Sequence, residues 1–111
     1  MLSYRHSFHA GNFADLLKHS IYIHCLEYMT QKPKCLRIID THSGAGIYSL
    51  SSAEARKNSE HLGGIKKILD CTDLPAIFET YRQQVLQLNH PDQSIYPGSP
   101  ALAMSFLRPI D

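Results

Sequence analysis

The residues best suited to chemistry lie in one short run, DTHSGAG, at positions 40–46. Asp40 ends the apolar stretch CLRIID, His42 follows two places on, and Gly44 and Gly46 come next. Glycines in such a turn let the backbone bend sharply and bring its amide groups close to a ligand. At the carboxyl end of a strand in an open α/β sheet, this is where ligands bind, and nucleotide-like cofactors sit there. The spacing is not the dinucleotide fingerprint GxGxxG, because GAG is followed by IYS. No GxxxxGK[ST] occurs anywhere, which excludes a P-loop. An ordinary glycine-rich turn between a strand and a helix carries the same residues, so the run alone leaves both readings open. His42 can hydrogen-bond to a ligand, stack on it, or only fill the turn.

A second group precedes it. Tyr4, Arg5, His6, Phe8 and His9 mix aromatic rings with cationic or protonatable groups. Such a strip can stack on bases and contact phosphate, or it can be a frayed terminus. Further on, His19 stands beside Lys18 on the polar side of a helix, either solvated or turned toward a ligand cleft. A zinc reading of His19, His24 and Cys25 fails on geometry, since residues five apart on a helix point about 140° from each other. Lys66 and Lys67, with Arg56 and Lys57 upstream, read as a solvated basic face or a minor RNA-facing patch.

The elements that must position these residues read as follows. Asn12 is a helix N-cap with Asp15 three residues on, and a helix is expected from Phe13 to Tyr28. Its apolar arc, expected to be buried, holds Phe13, Leu17, Ser20, Ile21, His24 and Tyr28. Asp15, His19, Tyr22 and Leu26 fall on the other side. Pro33 stops the helix, and residues 35–40 read as a buried parallel strand. Residues 51–60 read as a loop or solvated helix. Residues 61–70 read as a short amphipathic helix weakened by Gly63 and Gly64, and 74–89 as a stronger one whose apolar positions Ile77, Phe78, Tyr81, Val85 and Leu88 recur at helical spacing. NHPDQ is a turn, SIYPGSP an extended segment broken by Pro97, and a last helix starts at Pro100. One parallel strand cannot make a sheet without neighbours reached by crossovers, so the chain reads as part of a larger α/β unit.

Composition sets the outer bounds. The chain has 111 residues, 43% of them hydrophobic, which suits one globular domain at most. A net charge of +1 does not announce a nucleic-acid binder. The N-terminus carries charge and histidines where a signal peptide has an apolar core, and no run is long and apolar enough to span a bilayer. A cytoplasmic protein without a membrane partner is expected. Cys25, Cys35 and Cys71 form no CxxC pair and are expected as reduced thiols at buried or half-buried positions.

Taken with an acid before it, the turn matches the methyltransferase form of a glycine-rich loop, with His42 where the first glycine would stand. Three blocks in order, MLSYRHSFHAGNFADLLKH, DTHSGAGIY and YPGSP, make the chain resemble the bacterial 23S ribosomal RNA adenine-N(6) methyltransferase family. The similarity runs over essentially the whole chain. Phe13 and Ser43 depart from it, where a histidine and an alanine are usual, and Phe13 on the expected buried arc reads as a packing change.

The resemblance implies an α/β, Rossmann-like, S-adenosylmethionine-dependent fold with an inserted small helical subdomain. This chain would be its incomplete N-terminal part, mostly helical with one main strand. Residues 1–47 would carry the substrate and cofactor segment, 48–93 the helical insertion, and 94–111 the return to the main domain. It further implies that His19, His42, Ser99, Asp40, Gly44 and Gly46 serve the cofactor, S-adenosylmethionine, and that Tyr4, with His6 beside it, engages 23S ribosomal RNA. No metal is implied, and the full-length enzyme is expected as a monomer. The family's catalytic DPPY motif is absent from these residues, so the segment by itself is expected to be inactive. The RNA assignment rests almost wholly on the resemblance. Two competitors are a non-catalytic RNA-binding module, which the +1 charge and lone strand disfavour, and another S-adenosylmethionine-dependent nucleic-acid methyltransferase. A nicotinamide oxidoreductase would want GxGxxG.

Overall fold

The computed structural model describes residues 4–88 and 94–111, except for the side chain of Asn58. The turn expected at NHPDQ lies outside the described residues. A single turn of 3-10 helix, His6–Phe8, leads into α1, Phe13–Thr30. β1 (Ile47–Ser49) opens a helical excursion of α2 (Ala53–Asn58), α3 (Ile65–Asp70) and α4 (Ala76–Leu88), and the chain returns through β2 (Ile95–Pro97) to α5 (Ser99–Met104).

The sheet is not the one the sequence suggested. β1 and β2 pair antiparallel, with Ile47 opposite Pro97, Tyr48 opposite Tyr96 and Ser49 opposite Ile95. Bonds from Gly98 N to Gly46 O and from Leu50 N to Ser94 O, both 2.7 Å, extend the pairing at each end. Residues 35–40 form no helix and belong to no ladder, and Ile39 is 79% exposed. The apolar, β-branched run has strand character, but a strand exists only against a hydrogen-bonded neighbour, and none lies beside it among the described residues. The segment is anchored instead at its start. Leu36 N donates to Asp111 Oδ1, and Arg108 caps the carbonyls of Thr30, Lys32 and Lys34.

α1 begins where expected: the Asn12 side chain accepts the Asp15 amide at 3.0 Å. Its buried face is the reverse of the expected one. Asp15, His19, Ser20, Ile23 and Leu26 are buried, whereas Phe13 is 76% exposed and Leu17, Ile21 and Tyr28 are also exposed. Ser20 is the one member of the expected arc that is buried. The inner face is polar because its polar groups are paired, which removes the penalty for burying them. The Phe13 departure therefore does not repack a core.

The core gathers Ile23 of α1, Tyr48 and Leu50, Ile65 and Leu69 of α3, Tyr81 and Val85 of α4, Tyr96 and Leu102. Ser52 caps α2 by accepting the Ala55 amide, so the polar 51–60 stretch is helical over six residues. Gly64 has a packing role. Ile65 N donates to Gly11 O at 2.8 Å, and a Cβ on Gly64 would strike the Gly11 and Asn12 backbone. The glycine expected to weaken a 61–70 helix instead stands just before α3 as its N-cap and lets the N-terminal segment dock there. α4 buries Tyr81 and Val85 of its apolar spacing, whereas Leu88 at its end is exposed. Cys25 and Cys35 are exposed and Cys71 is intermediate, all three free, so the expectation of sheltered thiols fails for the first two. Among the described residues no helix is long and apolar enough to cross a membrane.

Candidate functional site

A cleft of about 680 Å³ opens between the N-terminal segment, α1, the glycine turn and the β2–α5 junction. That lies in the size range of small-molecule sites, roughly 300–1,000 Å³. Tyr4, His6, Lys18, His19, His42, Gly44 and Ser99 all line it. Six of the eight site residues that the resemblance implied, all but Asp40 and Gly46, therefore meet in one place with Lys18, although they come from far apart in the chain. Asp40 and Gly46 do not line it and act from behind. The Asp40 carboxylate accepts from the Ser99 hydroxyl and from the His42 amide. It thereby ties the glycine turn to the start of α5. Gly46 contributes its carbonyl to Gly98 N.

Gly44 sits at φ +63°, the left-handed region that favours glycine. A Cβ there would strike the Tyr48 hydroxyl, which accepts a hydrogen bond from Ala45 N at 3.1 Å. The turn is thus pinned on a buried side chain of β1.

The N-terminal strip is built, not frayed. Asp15, 2% exposed, accepts from Gly11 N at 3.0 Å and from His6 Nε2 at 2.7 Å, and pairs with Lys18 Nζ at 3.2 Å. The other side of the His6 ring, Nδ1, meets the Tyr4 hydroxyl at 2.5 Å. The Tyr4 ring stacks on His9 with centroids 5.3 Å apart and planes 7° from parallel. His9 in turn meets Glu60 at 2.8 Å. Hydrogen bonds from His9 and Asn12 hold the Glu60 carboxyl below its ordinary range. Burial, helped by the negative charge of Asp15, raises the Tyr4 phenol, so it stays a protonated donor. Tyr4 nonetheless offers most of its surface to solvent at the cleft mouth.

Deeper in, His19 is almost fully buried, and its Nδ1 lies 2.6 Å from the Tyr96 hydroxyl. Tyr96 meets the Tyr81 hydroxyl at 2.5 Å. Burial drives the His19 ring from its ordinary value down to about 4, with Lys18 and His6 adding to it against the opposing pull of Asp15 and Asp40. His19 is therefore neutral near pH 7. Among the described residues no group of His, Cys, Asp or Glu is placed to hold a metal ion.

Sequence reasoning overlooked several residues of this site. Asp15 was visible only as a capping-box acid, yet its carboxylate takes Gly11 N and His6 instead of returning to the cap. Tyr48, Ser52, Glu54 and Gly98 also line the cleft. Tyr96 and Gly98 lie inside the YPGSP block, which was the available signal. Tyr48 likewise closes the DTHSGAGIY block, whereas nothing in the sequence singled out Tyr81 or Glu54 for this position.

The comparisons with known proteins agree with one another. Residues 33–111 match the family described as "Ribosomal RNA large subunit methyltransferase D, RlmJ". The chain is 47% identical over its whole length to a ribosomal RNA large subunit methyltransferase J of Escherichia coli, and 45% to one of Haemophilus influenzae. It spans 40% of the length of each. A crystal structure of a protein from Legionella pneumophila superposes with a TM-score of 0.82 at 40% identity, over 92% of this chain and 38% of that one.

Proposed function

The chain belongs to the family described as ribosomal RNA large subunit methyltransferase D, RlmJ, and from that premise we propose that its cleft forms part of an S-adenosylmethionine site serving the methylation of an adenine exocyclic amine in 23S ribosomal RNA. The observation that carries the reading is the convergence of Tyr4, His6, Lys18, His19, His42, Gly44 and Ser99 on one cleft. The lining suits the cofactor. It offers a cation at Lys18, a neutral imidazole at His19, hydrogen-bonding side chains at His42 and Ser99, and apolar surface at Ile47 and Tyr48. Bound there, S-adenosylmethionine would supply an electrophilic methyl group.

In this reading each residue of the chain has a positional task. Asp40 holds His42 and Ser99 at a fixed separation across the cleft. Gly44 gives the turn a tight backbone that Tyr48 supports. At the mouth, Tyr4 presents an aromatic face on which a base drawn out of its stack could rest. His6, itself held by Asp15, bonds the Tyr4 hydroxyl and so fixes the orientation of that ring. These are contributions of orientation, which lower a barrier by removing the search for geometry. The proposal extends to a Rossmann-like whole in which residues 48–93 are an inserted helical unit, working in the cytoplasm.

Chemical-shift mapping tests it. Titrating S-adenosylmethionine into the 15N-labelled chain should move the amides of residues 42–46 and 98–99 and leave the exposed side of α1 unmoved. The affinity is expected to be weaker than micromolar. Absence of any response in 42–46 and 98–99 at about millimolar ligand, equivalent to roughly 4 kcal/mol of binding, overturns the assignment.

A further inference from the structure

Three buried polar groups in a line stand behind the cleft: Tyr81 OH, Tyr96 OH and His19 Nδ1, joined by contacts of 2.5 and 2.6 Å. Tyr81 and Tyr96 are fully buried, so each hydroxyl proton needs an acceptor within the protein. Two directions of donation are conceivable. If His19 donated from Nδ1 to Tyr96, Tyr96 would donate to Tyr81, and the Tyr81 proton would have no acceptor among the described residues. An unpaired buried hydroxyl of that kind bears its full desolvation penalty with nothing to offset it. In the other direction every group is satisfied: Tyr81 donates to Tyr96, and Tyr96 donates to Nδ1 of His19. The imidazole, kept neutral by burial, then carries its one proton on Nε2.

The Nε2 edge reaches the cleft. It has no partner among the described residues, and the buried side-chain atom lacking a partner there is Gln84 Oε1, not His19 Nε2. That nitrogen is therefore not sealed in, and His19 lines the cleft wall. We infer that Tyr96, with Tyr81 behind it, is a positioning residue that locks His19 as a neutral Nε2–H donor aimed at a hydrogen-bond acceptor of the bound ligand. A neutral donor suits a ligand that itself carries positive charge, because it offers a proton without repulsion. The stacking of His19 on Tyr96, centroids 5.7 Å apart, adds a second restraint on the ring. The ligand half of this inference rests on the cleft reading above; the tautomer half does not.

Nitrogen-detected NMR of the full chain, labelled in histidine and free of ligand near pH 7, reads the tautomer directly. The expected spectrum has a pyrrole-type Nε2 and a pyridine-type Nδ1 at His19. A proton on Nδ1, an even mixture, or a charged ring overturns the relay. Tyr96→Phe should turn the single tautomer into a mixture, and an unchanged spectrum in a folded Tyr96→Phe variant also overturns it. Tyr81→Phe, which leaves the Tyr96 donor in place, should keep the Nε2–H form; a switch to Nδ1–H would mean that the line donates in the other direction. For the ligand half, His19→Gln carries an amide N–H near the Nε2 position and His19→Asn carries one near Nδ1. The Gln variant should stay within about threefold of the parent in S-adenosylmethionine affinity and the Asn variant should lose about tenfold, the effect of one hydrogen bond. Equal losses would overturn the donor role. Failure of the parent chain to bind S-adenosylmethionine would sink the cleft reading instead, and the tautomer spectrum would still decide the relay.

Discussion

Asp15 offers the sharpest test of how the N-terminal strip is held. Its carboxylate accepts the Gly11 amide at 3.0 Å and His6 Nε2 at 2.7 Å, and lies 3.2 Å from Lys18 Nζ. Asp15→Ala removes all of these. A buried amide left without an acceptor costs about 1–3 kcal/mol, and a hydrogen bond to a charged group is worth about 1.5–3 kcal/mol. Lys18 is mostly exposed, so its pairing adds only about 0–1 kcal/mol. These effects overlap, and the expected loss is about 3 kcal/mol. With a urea dependence of about 1–3 kcal/mol per molar, the unfolding midpoint should fall by roughly 1–3 M. Asp15→Asn keeps an acceptor for the Gly11 amide while removing the charge, and should lose only about 1–2 kcal/mol. Urea melts followed by circular dichroism give both numbers. An alanine loss below about 1 kcal/mol, or equal losses for the two variants, would refute the claim that this carboxylate organises the strip.

Other perturbations address the cleft and its mouth. Gly44→Ala forces a side chain into the left-handed region at a cost of about 1–2 kcal/mol and pushes Tyr48 away. A lower melting temperature and weaker response to S-adenosylmethionine should follow, and an unaltered melt would contradict it. Tyr4→Ala should reduce RNA methylation by the full-length enzyme more than cofactor affinity, compared by activity assay and calorimetry; equal losses would mean the strip belongs to the cofactor. Stability should also depend on pH through His19. The unfolded ring takes up its proton below its ordinary value near 6.5, while the folded ring resists until about 4. The stability is thus fully present above about 6.5 and is lost as pH falls toward 4, by up to roughly 3 kcal/mol. His19→Gln should flatten that slope in urea melts taken across the window.

The site proved more legible than the scaffold. DTHSGAG and YPGSP each mark a turn where glycine frees the backbone or proline fixes it, and such residues report local geometry without help from the rest of the chain. Periodicity did well for α4, where Tyr81 and Val85 face inward. It misled for α1, because that rule assumes the inner face is the apolar one. Here Asp15, His19 and Ser20 turn inward, and Asp15 and His19 find side-chain partners from elsewhere in the sequence. A partner 77 residues away, as for His19 and Tyr96, leaves no local trace. Residues 35–40 show a related limit. Their composition records a capacity to pair, whereas pairing depends on which neighbour is present. β1, three residues long, was too short to register, while β2 falls inside SIYPGSP, which read as extended.

The pairing of β1 with β2 also bears on how the protein acquires its cleft. Ile47 and Pro97 face each other across the whole helical excursion, so forming that contact closes a loop of roughly 50 residues against chain entropy. Contacts of long sequence separation are slow to form. The helices can nucleate from local contacts first, while the glycine turn and Ser99 remain apart. A ligand that touches both sides would bind only molecules in which the loop has already closed. It would slow their reopening and raise the free energy of unfolding in proportion to the logarithm of its concentration.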